Sequence, residues 1–302
     1  MNEQFADLGE ITLCYETFGD PADPTLLLIM GLGTQMIAWH EDFCGSLADA
    51  GFHVVRFDNR DSGRSTHVKG RPPTLTQLAL RRSSGARYTL EDMAGDAVGL
   101  LTHLGVERAH VVGASMGGMI AQTVAIRHPE RVLSLVSIMS NTGARLSGQP
   151  AFAVYPLMVR AAPAEREKFA EHIANLYAKI GSPGFDRDPE EVLAMARLAW
   201  DRDHDRAASG RQLGAIVTAP DRGGDLGRIQ APTLVIHGKS DKLVRPSGGR
   251  TTASRVPGAR LQLIDGMGHD LPRAVWPRIV KGIVENARRS GFESPAGATQ
   301  GA

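Results

Sequence analysis

The stretch AHVVGASMGGMIAQTVA, residues 109–125, decides the fold class. An apolar, β-branched run ends at a glycine, a serine follows, and a helix-like run begins at once, which predicts a strand, a sharp turn and a helix. Ser115 stands at the turn in the arrangement G-x-S-x-G, formed with Gly113 and Gly117, and Gly118 comes next. These glycines remove side chains that would collide with the neighbouring strand and helix. Taken alone, the stretch fits equally well a serine that caps a helix after a glycine turn.

The alternation of short apolar runs with longer amphipathic segments extends over most of the chain. This pattern predicts an α/β fold with a doubly wound, mostly parallel sheet, preceded by an antiparallel strand in ITLCYETFG. The alternation lapses in residues 143–227, where Ala-, Met- and Leu-rich segments predict a helical cap. We expect the core to comprise residues 1–142 and 228–290, and residues 291–302 to form a disordered tail.

Composition excludes several classes of partner. The chain has 302 residues, a formal net charge of +1 and 42% apolar residues, so it can fill a large core and has no basic surplus for nucleic acid. Its longest apolar runs are too short to span a membrane, and its first residues do not resemble a secretory signal. We therefore expect a cytoplasmic protein, with Cys14 and Cys44 as reduced thiols. A homodimer is compatible with the sequence.

Two residues far along the chain can turn the serine into a nucleophile, because a serine hydroxyl needs a base and that base needs an orienting carboxylate. Asp241 follows the apolar run PTLVIHG, and His269 follows ARLQLID, so the chain order is serine, acid, histidine. All three should lie beyond the carboxyl ends of parallel strands, where such sheets build their sites. We predict a Ser115–His269–Asp241 triad, with His237 as the rival base.

The loop after the first apolar run, MGLGT, should supply part of an oxyanion hole. We predict the backbone N–H of Leu32 as one donor, with Gly31 and Gly33 keeping the loop tight against the substrate, and the N–H of Met116 as the other. The turn-rich segment DNRDSGRST, residues 58–66, is interpreted as structural support for this loop. No histidine pattern has the spacing of a metal site, so we predict neither metal nor cofactor.

Two interpretations that assign the chain to other functional classes stay open. GLGTQM follows a predicted strand, and the acidic Asp58 comes at the end of the next strand, as in a dinucleotide-binding fingerprint. However, Met36 stands where the third glycine of that fingerprint belongs. A non-catalytic small-molecule receptor could also keep the three residues on a hydrolase scaffold, and measured turnover of an ester would separate it from an enzyme.

With these motifs in place, the chain resembles the α/β-hydrolase family over nearly its full length. LLIMGLGTQ, HVVGASMGGMIAQ, PTLVIHGKSD and IDGMGHDLP look like bacterial carboxylesterase- and lipase-type members, and are similar to methylesterases that act on anthracycline-type polyketides. The resemblance implies the same triad, the same oxyanion donors and a cap over the site. Met30 replaces the histidine that many members carry before Gly31. The SMGG form also occurs in carbon–carbon bond hydrolases and cofactor-free haloperoxidases, which stay alternatives.

The expected function is hydrolysis of a small hydrophobic carboxylic ester through an acyl-enzyme intermediate. Apolar side chains of the cap could line the pocket, and Met158, Met195 and Trp200 are the candidates. The competing interpretation is that each of them packs the cap helices together.

Overall fold

A single eight-stranded sheet organises the protein, seen in a computed structural model that describes residues 2–79, 86–154 and 162–293. The strands are β1 Gln4–Asp7, β2 Thr12–Phe18, β3 Thr25–Ile29, β4 His53–Phe57, β5 Ala109–Ala114, β6 Val132–Ile138, β7 Thr233–Gly238 and β8 Arg260–Ile264. Their order in the sheet is β1-β2-β4-β3-β5-β6-β7-β8. The pairs β1–β2 and β2–β4 are antiparallel, and all other pairs are parallel.

Helices cover both faces of the sheet, which confirms the predicted doubly wound α/β fold. In the described residues they are α1 Glu41–Ala48, α2 Leu75–Ala79, α3 Leu90–His103, α4 Met116–Arg127, α5 Arg166–Ile180, α6 Pro189–Arg202, α7 Ala208–Thr218, α8 Ser247–Arg255 and α9 Trp276–Arg288. None of these helices has both the length and the apolar character needed to cross a membrane.

Two hydrophobic clusters lie on opposite faces because successive side chains of a strand point in opposite directions. In β3, Leu27 and Ile29 join the cluster that contains the buried sides of α3 and α4. Leu26 and Leu28 join the cluster that contains α1 and α9. The inner parallel strands β3, β5 and β7 are thus buried on both faces, which explains their nearly continuous apolar sequences.

The predicted helical cap, residues 143–227, and the predicted tail, residues 291–302, can be compared with the observed structure. The described part of residues 143–227 contains α5, α6, α7 and two short 3₁₀ turns, and no strand. The tail does not begin at residue 291 as predicted, because Phe292 is buried and stacks on Phe52 with ring centroids 4.3 Å apart. Its aromatic ring belongs to the core cluster of α1 and α9.

Two further differences arise near the start of the chain. The strand β1 pairs with β2, although its four residues carry too little pattern to be recognised in the sequence. The stretch MIAWHEDFCGSLADAG, residues 36–51, has the pattern of one helix that ends at a glycine, but it forms a 3₁₀ turn, Met36–Ala38, followed by α1 only at Glu41. The break falls at His40, whose ring nitrogen caps α1 by accepting the N–H of Asp42 at 3.0 Å.

Candidate active site

Ser115 occupies the turn between β5 and α4 in a strained backbone conformation, with φ 55° and ψ −118°. Few residues other than glycine adopt a positive φ, and such strain clusters at functional sites. A Cβ on Gly113 would lie 2.0 Å from the carbonyl oxygen of Gly117, and one on Gly117 would lie 2.0 Å from that of Ile29. Only glycine fits at these two positions, so the G-x-S-x-G spacing is a steric requirement of the turn.

The structure brings the three predicted triad residues together. His269 Nε2 lies 3.0 Å from Ser115 Oγ, and His269 Nδ1 lies 2.7 Å from Asp241 Oδ2. The histidine and the aspartate are buried, whereas the serine is partly exposed. A hydroxyl, an imidazole and a carboxylate in this order can pass a proton from serine to histidine while the carboxylate orients the ring.

Asp241 is held by more partners than the histidine alone. Its Oδ1 accepts the backbone N–H groups of Leu243 and Val244, each at 2.9 Å. Burial acts to raise the pKa of Asp241, but the charges and hydrogen bonds of His269 and His237 outweigh it and lower the pKa to about 2. The carboxylate is therefore ionised at neutral pH and fixed in direction.

His237, the rival base, lies behind the carboxylate. Its Nε2 is 2.8 Å from the carbonyl oxygen of Val244, which identifies Nε2 as the protonated nitrogen, and 3.4 Å from Asp241 Oδ2. Its buried Nδ1 has no hydrogen-bond partner among the described residues. His237 thus contacts Asp241, while it is His269 that reaches Ser115.

The loop after β3 packs directly against the serine. A Cβ on Gly31 would lie 3.1 Å from Ser115 Cβ. The N–H of Thr34 donates to the carbonyl oxygen of Gly31 at 3.3 Å, closing a turn in which Gly33 has φ +63°. This third turn position calls for glycine because of its positive φ. Leu32 is the second residue of this turn and directly follows the glycine that packs against Ser115.

The two predicted oxyanion donors are the backbone N–H groups of Leu32 and Met116. Within the part of the chain that the structure describes, neither the N–H of Leu32 nor that of Met116 donates a hydrogen bond to a protein group. Met116 is the first residue of α4, so its N–H lies at the positive end of the helix dipole. Free donors at these positions suit a developing negative charge on a substrate oxygen.

The segment 58–66 supports the loop after β3, which contains the predicted oxyanion donor Leu32 and is called the oxyanion loop below. Asp58 is fully buried and accepts the N–H of Met36 at 2.7 Å and that of Arg64 at 3.0 Å. Arg202, from cap helix α6, donates to the same carboxylate at 2.7 Å. In a dinucleotide-binding site, Asp58 would hydrogen-bond the ribose of the cofactor. Here its carboxylate instead accepts hydrogen bonds from groups of the protein itself.

A cluster beside this segment has donor atoms close enough to hold a cation. It consists of Asp61, His67 and Asp205. Arg211, from cap helix α7, donates to Asp61 and Asp205, both at 2.6 Å. This arrangement favours an ion-pair network that ties the cap to the core, because the guanidinium already pairs with both carboxylates.

The cap also holds the loop that carries the histidine. The N–H of His269 donates to the carbonyl oxygen of Ile180 at 2.8 Å, at the end of α5. The next residue, Asp270, accepts from Ser182 with one carboxylate oxygen and from Arg187 with the other. The local sequence gives no sign of this role for Asp270, since its partners are 88 and 83 positions away.

We expect Asp270→Ala to lower kcat about 10-fold and Tm by several degrees, because it frees the histidine loop and leaves Arg187 without its carboxylate partner. Steady-state kinetics and thermal unfolding test this. The matched control is Asp265→Ala, which removes a carboxylate four positions before His269 in the sequence. Asp265 is exposed and pairs with Lys239 at the surface, so its variant should match the wild type. Equal behaviour of the two variants would contradict a clamping role.

The predicted pocket residues of the cap have structural contacts. Met195 packs against a small cluster that contains Met36 and Ile37. Trp200 lies 5.3 Å from the ring of Phe169 and 4.8 Å from that of His204. The third candidate, Met158, lies outside the described residues. For Met195 and Trp200 the contacts are those of residues that attach and stiffen the cap.

Comparison with known proteins agrees with this architecture. Residues 24–272 match the model of the alpha/beta hydrolase fold. A rhodomycin D methylesterase of Streptomyces sp. (strain C5) is 32% identical over 300 residues, which cover 92% of this chain and 96% of that protein. A 3-oxoadipate enol-lactonase of Acinetobacter baylyi is 26% identical, with 85% and 86% covered. The crystal structure of the enol-lactonase from Burkholderia xenovorans LB400 shares the fold, with a TM-score of 0.74, 24% identity and 94% and 100% covered. The chain belongs to the α/β-hydrolase family.

Proposed function

We propose that the protein is a carboxylic ester hydrolase that cleaves a small hydrophobic ester through a covalent acyl-enzyme intermediate. The observation that carries the proposal is the continuous series of contacts from Asp241 through His269 to Ser115, at 2.7 Å and 3.0 Å. The similarity to a methylesterase and an enol-lactonase supports ester hydrolysis within this family.

In the first half of the proposed reaction, Ser115 Oγ attacks the carbonyl carbon of the ester and its proton moves to His269 Nε2. Asp241, ionised and held by two backbone N–H groups, stabilises the imidazolium that forms. The carbonyl oxygen becomes an oxyanion and accepts from the N–H groups of Leu32 and Met116. Collapse of this intermediate breaks the bond to the alcohol oxygen, which leaves with the proton from His269.

In the second half, water repeats the attack on the acyl group. His269 takes a proton from the water as its oxygen bonds to the carbonyl carbon, and the same two N–H groups stabilise the second oxyanion. The intermediate then releases the carboxylic acid, while His269 returns the proton to Ser115 Oγ. No group outside the chain and the two substrates is needed for the balance of atoms and charge.

Methyl esters of hydrophobic acids are the substrates we favour. The argument is the 32% identity, over nearly the full length of both chains, with a protein named for methylesterase activity on rhodomycin D. A methyl ester has a small leaving group, so specificity would depend on the acyl side, beneath the cap.

A panel of substrates tests the proposal. p-Nitrophenyl esters of increasing acyl length and methyl esters of aromatic acids should be turned over by the wild-type protein, with methanol released from the latter. We expect rates at least 10³-fold above those of the variant Ser115→Ala for the best ester. Absence of any enzyme-dependent hydrolysis, together with measurable binding of the same esters, would favour the receptor interpretation.

A further inference from the structure

A buried glutamine of the cap contacts the oxyanion loop. Gln212 lies in α7, and its side chain is fully buried. Its Oε1 accepts the N–H of Gly33 at 2.8 Å, and its Nε2 donates to the carbonyl oxygen of Arg60 at 2.9 Å. Both polar groups of the amide are thus engaged, and they join the loop after β3 to the loop after β4.

The bond from Gly33 fixes the central peptide of the oxyanion turn. In the turn Gly31–Thr34 this peptide joins Leu32 to Gly33. Its carbonyl oxygen accepts the hydroxyl of Thr34 at 3.1 Å, and its N–H donates to Gln212. The two common turn types differ in the orientation of this peptide, and glycine at the third position permits either. An acceptor at the place of Gln212 Oε1 stabilises the observed orientation over the alternative.

Helix α7 is a rigid support for this contact. A Cβ on Gly33 would lie 2.6 Å from Ser209 Oγ, so the first turn of the helix lies directly against the oxyanion turn. The neighbouring Arg211 anchors the same helix to the core through Asp61, at 2.6 Å and 2.9 Å. Gln212 is therefore held on a helix that the core itself fixes.

We propose that Gln212 is a positioning residue: by fixing the peptide that follows Leu32, it holds the Cα of Leu32, and with it the adjoining N–H of Leu32, in the place needed to bind the oxyanion. This inference rests on the proposed ester hydrolysis, in which Leu32 is an oxyanion donor. The cap helix would then contribute to the rate of the chemical step, in addition to covering the substrate. Because an oxyanion exists only after attack, the contribution should favour the transition state and leave substrate binding nearly unchanged.

The variant Gln212→Met, which keeps the length but removes both hydrogen bonds, tests this with a p-nitrophenyl ester. We expect kcat to fall about 10- to 100-fold, since losing a well-placed oxyanion donor costs about 10²- to 10³-fold and a displaced one costs less. A trifluoromethyl ketone, which forms a hemiketal oxyanion with the serine, should bind weaker by a similar factor. KM should change less than threefold.

The matched control is Gln122→Met. Gln122 is a second fully buried glutamine, in α4, and its amide bonds Ser137 at 3.1 Å and Arg222 at 3.3 Å. This variant should lose comparable thermal stability and keep kcat and inhibitor affinity within threefold of the wild type. If Gln212→Met does not fold, Gln212→Asn carries the same test, because it keeps a polar amide but is one methylene too short to reach Gly33.

The outcomes separate the two proposals. A folded variant at position 212 whose kcat and inhibitor affinity match those of Gln122→Met would overturn the positioning role, as would a rise in KM at unchanged kcat. Wild-type protein without esterase activity, or an active Ser115→Ala variant, would instead contradict the proposed function itself.

Discussion

Ser115→Ala is expected to abolish ester hydrolysis, lowering kcat by about 10⁴- to 10⁶-fold, while the protein stays folded. The size of the effect follows from the loss of the only proposed nucleophile, after which binding and oxyanion stabilisation alone remain. The hydroxyl contacts His269 at 3.0 Å and lies at a partly exposed position, so its removal leaves no cavity in the core. Initial rates with the best ester and thermal unfolding of the same preparation measure both statements.

The control for this variant is Ser134→Ala. Ser134 is a buried serine of β6 whose hydroxyl lies 2.9 Å from His110 Nδ1, so the variant loses a serine hydroxyl away from the proposed site. It should keep kcat within about threefold. An active Ser115→Ala variant would exclude the proposed nucleophile.

Asp241→Asn should lower kcat by about 10³- to 10⁴-fold, with little change in KM. The amide cannot stabilise the imidazolium, and it can hold the ring of His269 in the wrong tautomer. The same substitution removes the charge that the N–H groups of Leu243 and Val244 now solvate. Steady-state kinetics at pH 7.5, with the panel's best ester, tests this, and a variant within tenfold of the wild type would contradict the assignment of the acid.

The pH profile of the wild-type enzyme gives an independent check on the same residue. Because the pKa of Asp241 is lowered to about 2, this carboxylate stays ionised throughout the range in which the enzyme can be assayed. The acidic limb of kcat/KM should therefore contain no contribution from Asp241 and fall no more steeply than about tenfold per pH unit, the slope of a single protonation. A slope approaching a hundredfold per unit would indicate that a second group must also be ionised.

The parts of the site that sequence could predict are those governed by local sterics and by sheet topology. Gly113 and Gly117 indicate the sharp turn in the sequence, because a residue with a side chain would not fit at either position. Asp241 and His269 are recognisable because loops after parallel strands meet at one edge of the sheet, so chain order implies proximity. The confirmed α/β fold depends on the same two features. They are visible in the sequence as the alternation of apolar runs with amphipathic segments and as glycines at the turns.

What could not be predicted depends on contacts between distant segments. Gln212 reaches Gly33 across 179 positions, and Ser182 and Arg187 reach Asp270 across 88 and 83. Each is an ordinary polar residue in its own segment, and only the docking of the cap gives it a partner. The burial of Phe292 has the same origin, because its partner Phe52 belongs to a distant segment of the chain.

The most direct test of the account is mass spectrometry of the protein after reaction with a fluorophosphonate ester, which phosphonylates activated serines. We predict one adduct per chain, located on the peptide that contains Ser115, and parallel loss of esterase activity. His269→Ala should abolish labelling, because the base that activates the hydroxyl is gone. Labelling at another residue, or full esterase activity in protein phosphonylated at Ser115, would contradict the central claim.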